Sequence, residues 1–309
     1  MLKTLLSYFK QSFGRRPPAV LLDPVAGQHA DSTEQIGGLG GSRHIVTDIG
    51  GKKYNIASDD DYLEHIRGVF EPHMVELFDS LIKPADTVLD IGANIGCTAI
   101  LFGSRANKVV SFEPSPSTYR FLEKNVQASG LNNVELKNVG LGKSAGRFEL
   151  TFAANNRAGG FVSNKMQASA GHQVESIEIV QGDAFLEELG ITRVDFIKID
   201  VEGFERDVIE GLGKTISTSR PIVTLELNHW CLNVFQRTSV PDFFDFLRSV
   251  FPYLYAVGAD DVCNLHDPSD SYHVMFRHVA SGHEYQNIVG AFESDQLQAF
   301  NAKFRQRGA

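Results

Sequence analysis

Thr87-Val88-Leu89-Asp90-Ile91-Gly92-Ala93-Asn94-Ile95-Gly96 is a β-branched, apolar run that stops at two closely spaced glycines, and a helical pattern begins immediately after it. The same alternation recurs downstream. Residues 108–112 read as a second strand, 116–129 as a helix and 133–137 as a third strand. Residues 194–200 and 221–228 give two more strands, with a helix over 204–212 between them and another over 241–250 after them. Residues 253–257 and 272–276 complete the set. Strands and helices alternating at this spacing predict a doubly wound, parallel α/β sheet with helices on both faces.

The flanking chain divides accordingly. Residues 1–42 read as an amphipathic helix, with Leu2, Leu5, Leu6, Phe9 and Phe13 at helical spacing, followed by a glycine-rich linker. That helix docks on the domain or a second subunit, or lies on an anionic membrane face through Lys3, Lys10, Arg15 and Arg16. Residues 43–84 read as a β-hairpin around Gly50-Gly51 and a helical lead-in interrupted at Pro72. The main domain spans 85–280, with an inserted hairpin at 147–180 around a polar loop containing Asn155, Asn156 and Arg157. Residues 281–309 read as a helical tail.

Composition limits the function. The 309 residues carry 29 Lys+Arg against 38 Asp+Glu, a net charge of −9, with 42% apolar and 22% charged residues. This is globular usage, and the acidic balance opposes broad nucleic-acid binding. Cys97, Cys231 and Cys263 are odd in number and far apart, which excludes a disulfide framework and fits a reducing cytoplasm, at most peripheral to the inner membrane face. No stretch has the roughly 20 apolar residues that span a bilayer.

In an open α/β sheet, ligands bind at the carboxyl ends of strands, so the turn after Ile91 is the candidate cofactor site. Glu113 ends the second strand, where a carboxylate can accept both hydroxyls of a ribose. A nicotinamide dinucleotide would also use that acid, but its fingerprint G-x-G-x-x-G is broken here by Asn94 and Cys97. Asp90 would repel a pyrophosphate and attract the ammonium and sulfonium of S-adenosylmethionine. The turn therefore favours that methyl donor.

Four runs, 88–96 (VLDIGANIG), 109–126 (VVSFEPSPSTYRFLEKNV), 133–142 (NVELKNVGLG) and 194–211 (VDFIKIDVEGFERDVIEG), resemble the FkbM family of S-adenosylmethionine-dependent methyltransferases. The resemblance covers about residues 85–257. It implies a Rossmann-like, seven-stranded class I methyltransferase sheet whose last strand is reversed. It further implies that Asp90, Gly92, Asn94 and Gly96 line the methionine moiety, that Glu113 holds the ribose, and that Asn138 and Val139 lie near the adenine. Asp183 is a substitute adenine acid or, more simply, a helix cap.

Lys198, Asp200 and Glu202 end the fourth sheet strand, and period-two alternation puts Phe196, Lys198 and Asp200 on one face. A lysine in a central strand needs carboxylate partners, and Glu202 and Glu226 are the candidates. A hydroxyl acceptor needs a base; His229, at the end of the fifth strand, competes for that role with Asp200, Glu202 and Glu226. Trp230 beside it is either an apolar wall for the acceptor or packing. Asp200, Glu202, Glu226, Asn228 and His229 hold enough donor atoms for a divalent ion, but no spacing motif requires one, and no metal is expected. The expected activity is O-methylation of a small-molecule acceptor. The resemblance suggests a hydroxyl of a sugar, glycan or polyketide-like compound. A non-catalytic donor-binding module is the alternative, and a nicotinamide-dependent dehydrogenase is disfavoured.

Overall fold

The computed structural model describes residues 42–153, 156–162, 172–281 and 284–305. The expected N-terminal helix and most of the linker after it lie outside them. The hairpin forms as read: β1 (Arg43–Ile49) and β2 (Lys52–Ser58) pair antiparallel across Gly50 and Gly51, both at positive φ. A short helix Tyr62–His65 follows, and β3 (Gly68–Val69) then pairs parallel with β1. Pro72 starts the next helix, Pro72–Leu81, where its missing N–H is harmless at the first turn.

The main sheet begins with β4 (Thr87–Ile91), β5 (Lys108–Phe112) and β6 (Val134–Lys137). Helices Cys97–Gly103 and Pro116–Ser129 connect them; the second is capped by the Ser115 side chain at one end and by left-handed Gly130 at the other. The insertion is larger than a hairpin. β7 (Gly140–Gly142), β8 (Gly146–Ala153), β9 (Asn156–Val162) and β10 (His172–Gln181) form a separate sheet in the order β7-β10-β8-β9. The expected pairing of 147–152 with 174–180 is the β8–β10 ladder. Residues 156–162, read as part of the polar loop, instead add the outer strand β9 to β8.

The main sheet continues with β11 (Phe196–Ile199), β12 (Ile222–Glu226), β13 (Tyr253–Val257), β14 (Val262–Asn264) and β15 (Asn287–Ala291). Its order is β14-β13-β15-β12-β11-β4-β5-β6. From β12 to β6 every pairing is parallel, whereas β15 runs antiparallel to both β12 and β13. This is the expected doubly wound sheet with the reversed strand β15 inside it, extended at its edge by β14, which pairs antiparallel with β13 and so is reversed as well.

The reversed strand is not 272–276. Those residues belong to the helix Pro268–Ser281. Tyr272 and Phe276 alternate with polar residues, but they stand on the solvent side of the helix at 65% and 58% exposure, while Val274 and His278, four apart, face inward. The strand lies further on, inside the segment expected to be a helical tail. Of that segment, 294–305 forms helical turns.

Each face of the sheet buries an apolar layer. One layer contains Val88, Val109, Phe196 and Ile222, and includes an edge-to-face cluster in which the Phe78, Phe102 and Phe196 rings lie 4.9–5.9 Å apart. The other contains Leu89, Ile91, Val110, Ile197, Val223 and Leu225. The hairpin is tied to the sheet by buried Asn125. Its amide donates to Ala57 O (3.0 Å) and Ile95 O (2.8 Å) and accepts from Ala57 N (2.8 Å). Asn125→Ala leaves those three backbone groups unpaired and should lower stability by about 2–4 kcal/mol in urea denaturation. A loss within about 0.5 kcal/mol, the range of ordinary surface changes, would show that the clamp is not needed.

Candidate active site

The glycine turn closes over the end of β5, with the Gly92 and Ala93 amides both donating to Phe112 O at 3.0 Å. Gly92 has φ +80°, and a Cβ there would sit 1.8 Å from Asp200 O, so no other residue lets the ends of β4 and β11 approach this closely. Gly96, at φ +99°, admits Leu122 of the helix Pro116–Ser129, 2.8 Å from where a Cβ would lie. Asn94 adopts φ +49°, and its amide donates to Glu113 Oε2 at 3.0 Å. The Ser115 amide donates to Glu113 Oε1 at 2.9 Å.

Glu113 is thus a buried carboxylate fixed by two backbone donors on the wall of a cavity of ≈240 Å³. Gly92, Asn94, Gly140 and Leu141 line that cavity, together with Ile177 and Leu150 of the inserted sheet. Burial pushes the Glu113 carboxyl up to about 7, although the Ser115 and Asn94 amides favour the anion.

Three expected donor residues stand elsewhere. Asp90 is fully buried behind the turn; Thr98 Oγ1 donates to both its oxygens, at 2.9 and 3.1 Å, and Ser111 Oγ to one at 3.4 Å. Register explains this, because Ser111, Asp90, Lys198 and Thr224 are paired across β5, β4, β11 and β12 and form one polar row. Asn138 Nδ2 donates to Glu113 O (2.9 Å) and Pro114 O (3.2 Å), so it braces the backbone that carries Glu113. Val139 packs into the second apolar layer, and Gly140 and Leu141 take its place on the cavity wall. Asp183 accepts from the Lys214 and Thr215 amides at 2.8 Å and from Thr215 Oγ1 at 2.7 Å, which makes it a cap for the helix Gly213–Ser219 rather than for its own.

On the other side Lys198 meets its expected kind of partner, though not the expected ones. Its Nζ donates to Gly92 O at 2.7 Å and lies 3.2 Å from Asp200 Oδ2 and 3.6 Å from Asp90 Oδ1. Burial opposes its charge, but Asp200 and Asp90 hold it protonated. Burial also acts on Asp200, yet Lys198 and a hydrogen bond with Glu226 keep that carboxyl below its ordinary value. Glu226 moves the opposite way, raised by burial and then by Asp200 and Glu202. Within the pair Asp200 is therefore the more acidic carboxyl and Glu226 the more basic.

Glu202, at φ +51°, accepts from Asn228 Nδ2 (2.8 Å) and Cys231 Sγ (3.2 Å), and burial pushes it up to about 7. Asp200 and Glu226 also line a second cavity, of ≈440 Å³, with Glu71, His73, Gln286 and Asn287. Glu71, Asp200 and Glu226 are common to both cavities.

His229 lines neither cavity; its ring packs edge-on against His278, with centroids 5.0 Å apart. Trp230 is 53% exposed and packs edge-on against Phe235, which in turn stacks on Phe161 of β9 at 3.7 Å. Sequence reading missed Glu71 and Tyr62 on the lead-in, both of which line the donor-side cavity. Pro72 marks a break beside Glu71, but nothing local shows that this carboxylate faces a strand end so far along the chain.

A doubly wound sheet with β15 reversed between parallel strands, and a buried carboxylate beside a glycine turn, is an arrangement that suits a nucleoside cofactor. Residues 90–255 match the model of the methyltransferase FkbM domain, and the chain belongs to that family. It is 26% identical over 161 residues to a hexuronic acid methyltransferase, AglP, of Haloferax volcanii, covering 50% of this chain and 61% of that one. It is 28% identical over 165 residues to the 2-O-methyltransferase NoeI of Sinorhizobium fredii, covering 48% and 66%. The chain spans just over six-tenths of the length of the curated relatives it matches. A crystal structure of a methyltransferase FkbM from Methylobacillus flagellatus superposes with a TM-score of 0.42 at 15% identity, covering 68% of this chain and 44% of that one. Among the described residues no helix is long and apolar enough to cross a membrane.

The raised Glu113 carboxyl has a consequence for stability. An unfolded glutamate near 4.5 loses its proton before the folded one near 7, so between those values the folded state holds more protons and stability falls as pH rises. Glu202 acts in the same window and direction. Unliganded protein should lose stability from pH 4.5 to 7, and Glu113→Gln should reduce that slope by about 2–3 kcal/mol across the window. Urea midpoints at pH 4.5, 6 and 7.5 check this; an unchanged slope in the variant would overturn the assignment.

Proposed function

We propose that the chain is an S-adenosylmethionine-dependent methyltransferase that methylates a hydroxyl of a sugar-like small molecule or glycan. One observation carries the reading: the Asp200–Glu226 pair stands on the wall shared by two cavities, one of which holds a carboxylate suited to a ribose. The residues fit the donor. Glu113 is held with both oxygens toward backbone donors, and ribose hydroxyls would stabilise its ionised form. Gly140 and Leu141, with Ile177 and Ile179, would give a purine an apolar wall. When bound, S-adenosylmethionine supplies a methyl group activated by its sulfonium leaving group. The names of the hexuronic acid and 2-O-methyltransferase relatives support a sugar hydroxyl as the acceptor.

Lys198 fixes Asp200 as the anion, and Asp200 orients the Glu226 carboxyl toward the junction. Once deprotonated, Glu226 is the stronger base of the two because its pKa is raised. It would take the acceptor proton as the hydroxyl attacks, and the bound donor would supply the methyl group with its thioether as the leaving group. Positioning the oxygen in line with that bond supplies much of the remaining acceleration.

S-adenosylhomocysteine at 100 times its Kd should add about 2.7 kcal/mol to stability, and Glu113→Ala should abolish that gain. No gain in folded wild type would end the donor assignment. With radiolabelled donor and a panel of methyl glycosides, Glu226→Gln should lower kcat by about 10²–10⁴-fold while donor Kd stays nearly unchanged. The wild-type rate should rise with pH through an ionisation above the ordinary carboxylate range, and Glu226→Gln should remove that limb. His229→Ala should change kcat by less than about threefold; a loss matching that of Glu226→Gln would restore His229 as the base.

A further inference from the structure

Glu71 lies outside the region matched by the family, on the lead-in before β4. It nonetheless lines both main cavities, and a third, smaller one against the glycine turn, beside Gly92, Asn94, Cys97, Lys198 and Asp200. Its backbone is held at φ +26°, ψ +72°, a conformation that non-glycine residues rarely adopt, immediately before Pro72 starts its helix. This places the side chain at the turn rather than along the helix surface.

The neighbouring charges are already committed. Lys198 is bound to Gly92 O and flanked by Asp200 and Asp90, and Asp200 is bound to Lys198 and Glu226. Among the described residues the Glu71 carboxylate makes no hydrogen bond or ion pair, and its surroundings lift its pKa through burial and then through Asp200. Lys198 pulls its pKa down from a distance but is bound elsewhere, and the Glu71 side chain is open to the cavity, so no cation is paired with this carboxylate among the described residues. With Glu113 holding the ribose, the smaller cavity that brings Glu71 against Gly92 and Asn94 is where the donor's amino-acid portion would lie.

We propose that Glu71 binds the α-ammonium of the donor's methionine end, so that the segment preceding the family domain completes the donor site. This rests on the donor reading above. The charge on Glu71 then distinguishes donor-type ligands that carry an amino-acid end from nucleosides that lack it. An ion-paired hydrogen bond of this kind contributes about 1.5–3 kcal/mol, which corresponds to about 10–100-fold in affinity.

The test compares two ligands by isothermal titration calorimetry at pH 7.5 on wild type, Glu71→Gln and Glu71→Asp. S-adenosylhomocysteine carries the ammonium, while 5′-methylthioadenosine keeps the adenosine and thioether without it. Glu71→Gln should weaken S-adenosylhomocysteine at least about tenfold and leave 5′-methylthioadenosine within about twofold, with Glu71→Asp recovering part of the loss. Unliganded melting temperatures report whether each variant is folded. Equal losses for both ligands would make Glu71 a structural residue, and an unchanged S-adenosylhomocysteine affinity would remove it from the site; either result overturns the proposal. Wild type that binds neither ligand would overturn the donor reading itself, a separately recognisable result.

Discussion

The site is built around one buried ammonium. Lys198 stands in the centre of the sheet, bonded to the carbonyl of Gly92 and flanked by Asp90 behind the turn and Asp200 in front of it. Removing both carboxylates would leave an unpaired charge in the core, and breaking a buried pair of this kind typically costs about 3–5 kcal/mol. The same contact fixes the glycine turn against β11 and decides which of two neighbouring carboxyls is the more acidic. Asp200 is held as the anion, so Glu226 becomes the member of the pair able to accept a proton at higher pH.

Around that centre the chain uses backbone geometry to fix side-chain chemistry. The close contact of Gly92 with Asp200 joins the ends of β4 and β11, and the left-handed Asn94 that follows turns its amide onto Glu113. Asn138 fastens the backbone on the other side of Glu113. A carboxylate braced in this way loses little freedom on binding a ribose, which is the advantage of preorganisation.

The walls come from segments outside the sheet. The inserted four-stranded sheet contributes Leu150, Ile177 and Ile179 to the donor-side cavity, and the lead-in contributes Tyr62 and Glu71. The sheet core supplies the charges that do chemistry, and the additions decide what can reach them. The stacking of Phe161 on Phe235 connects β9 to the helical segment Leu232–Gln236 that follows Asn228.

Local patterns determined the alternation of strands and helices, the glycine turn, the acid at the end of β5 and the face shared by Lys198 and Asp200, because each depends on spacing within a few residues. They failed where burial depends on partners far along the chain. Tyr272 and Phe276 alternate like a strand but belong to a helix, while the reversed strand 287–291 sits in a segment with little pattern of its own. Asp90 was legible as an acid at the turn, yet only the cross-strand register shows that it faces Lys198 and not the cavity. His229 had the right position in sequence, and only packing against His278 sets it apart from the carboxylates. Glu71 had no signal at all, because what makes it part of the site is its closeness to Asp200 and Lys198, and that exists only once the lead-in has folded onto the ends of the strands.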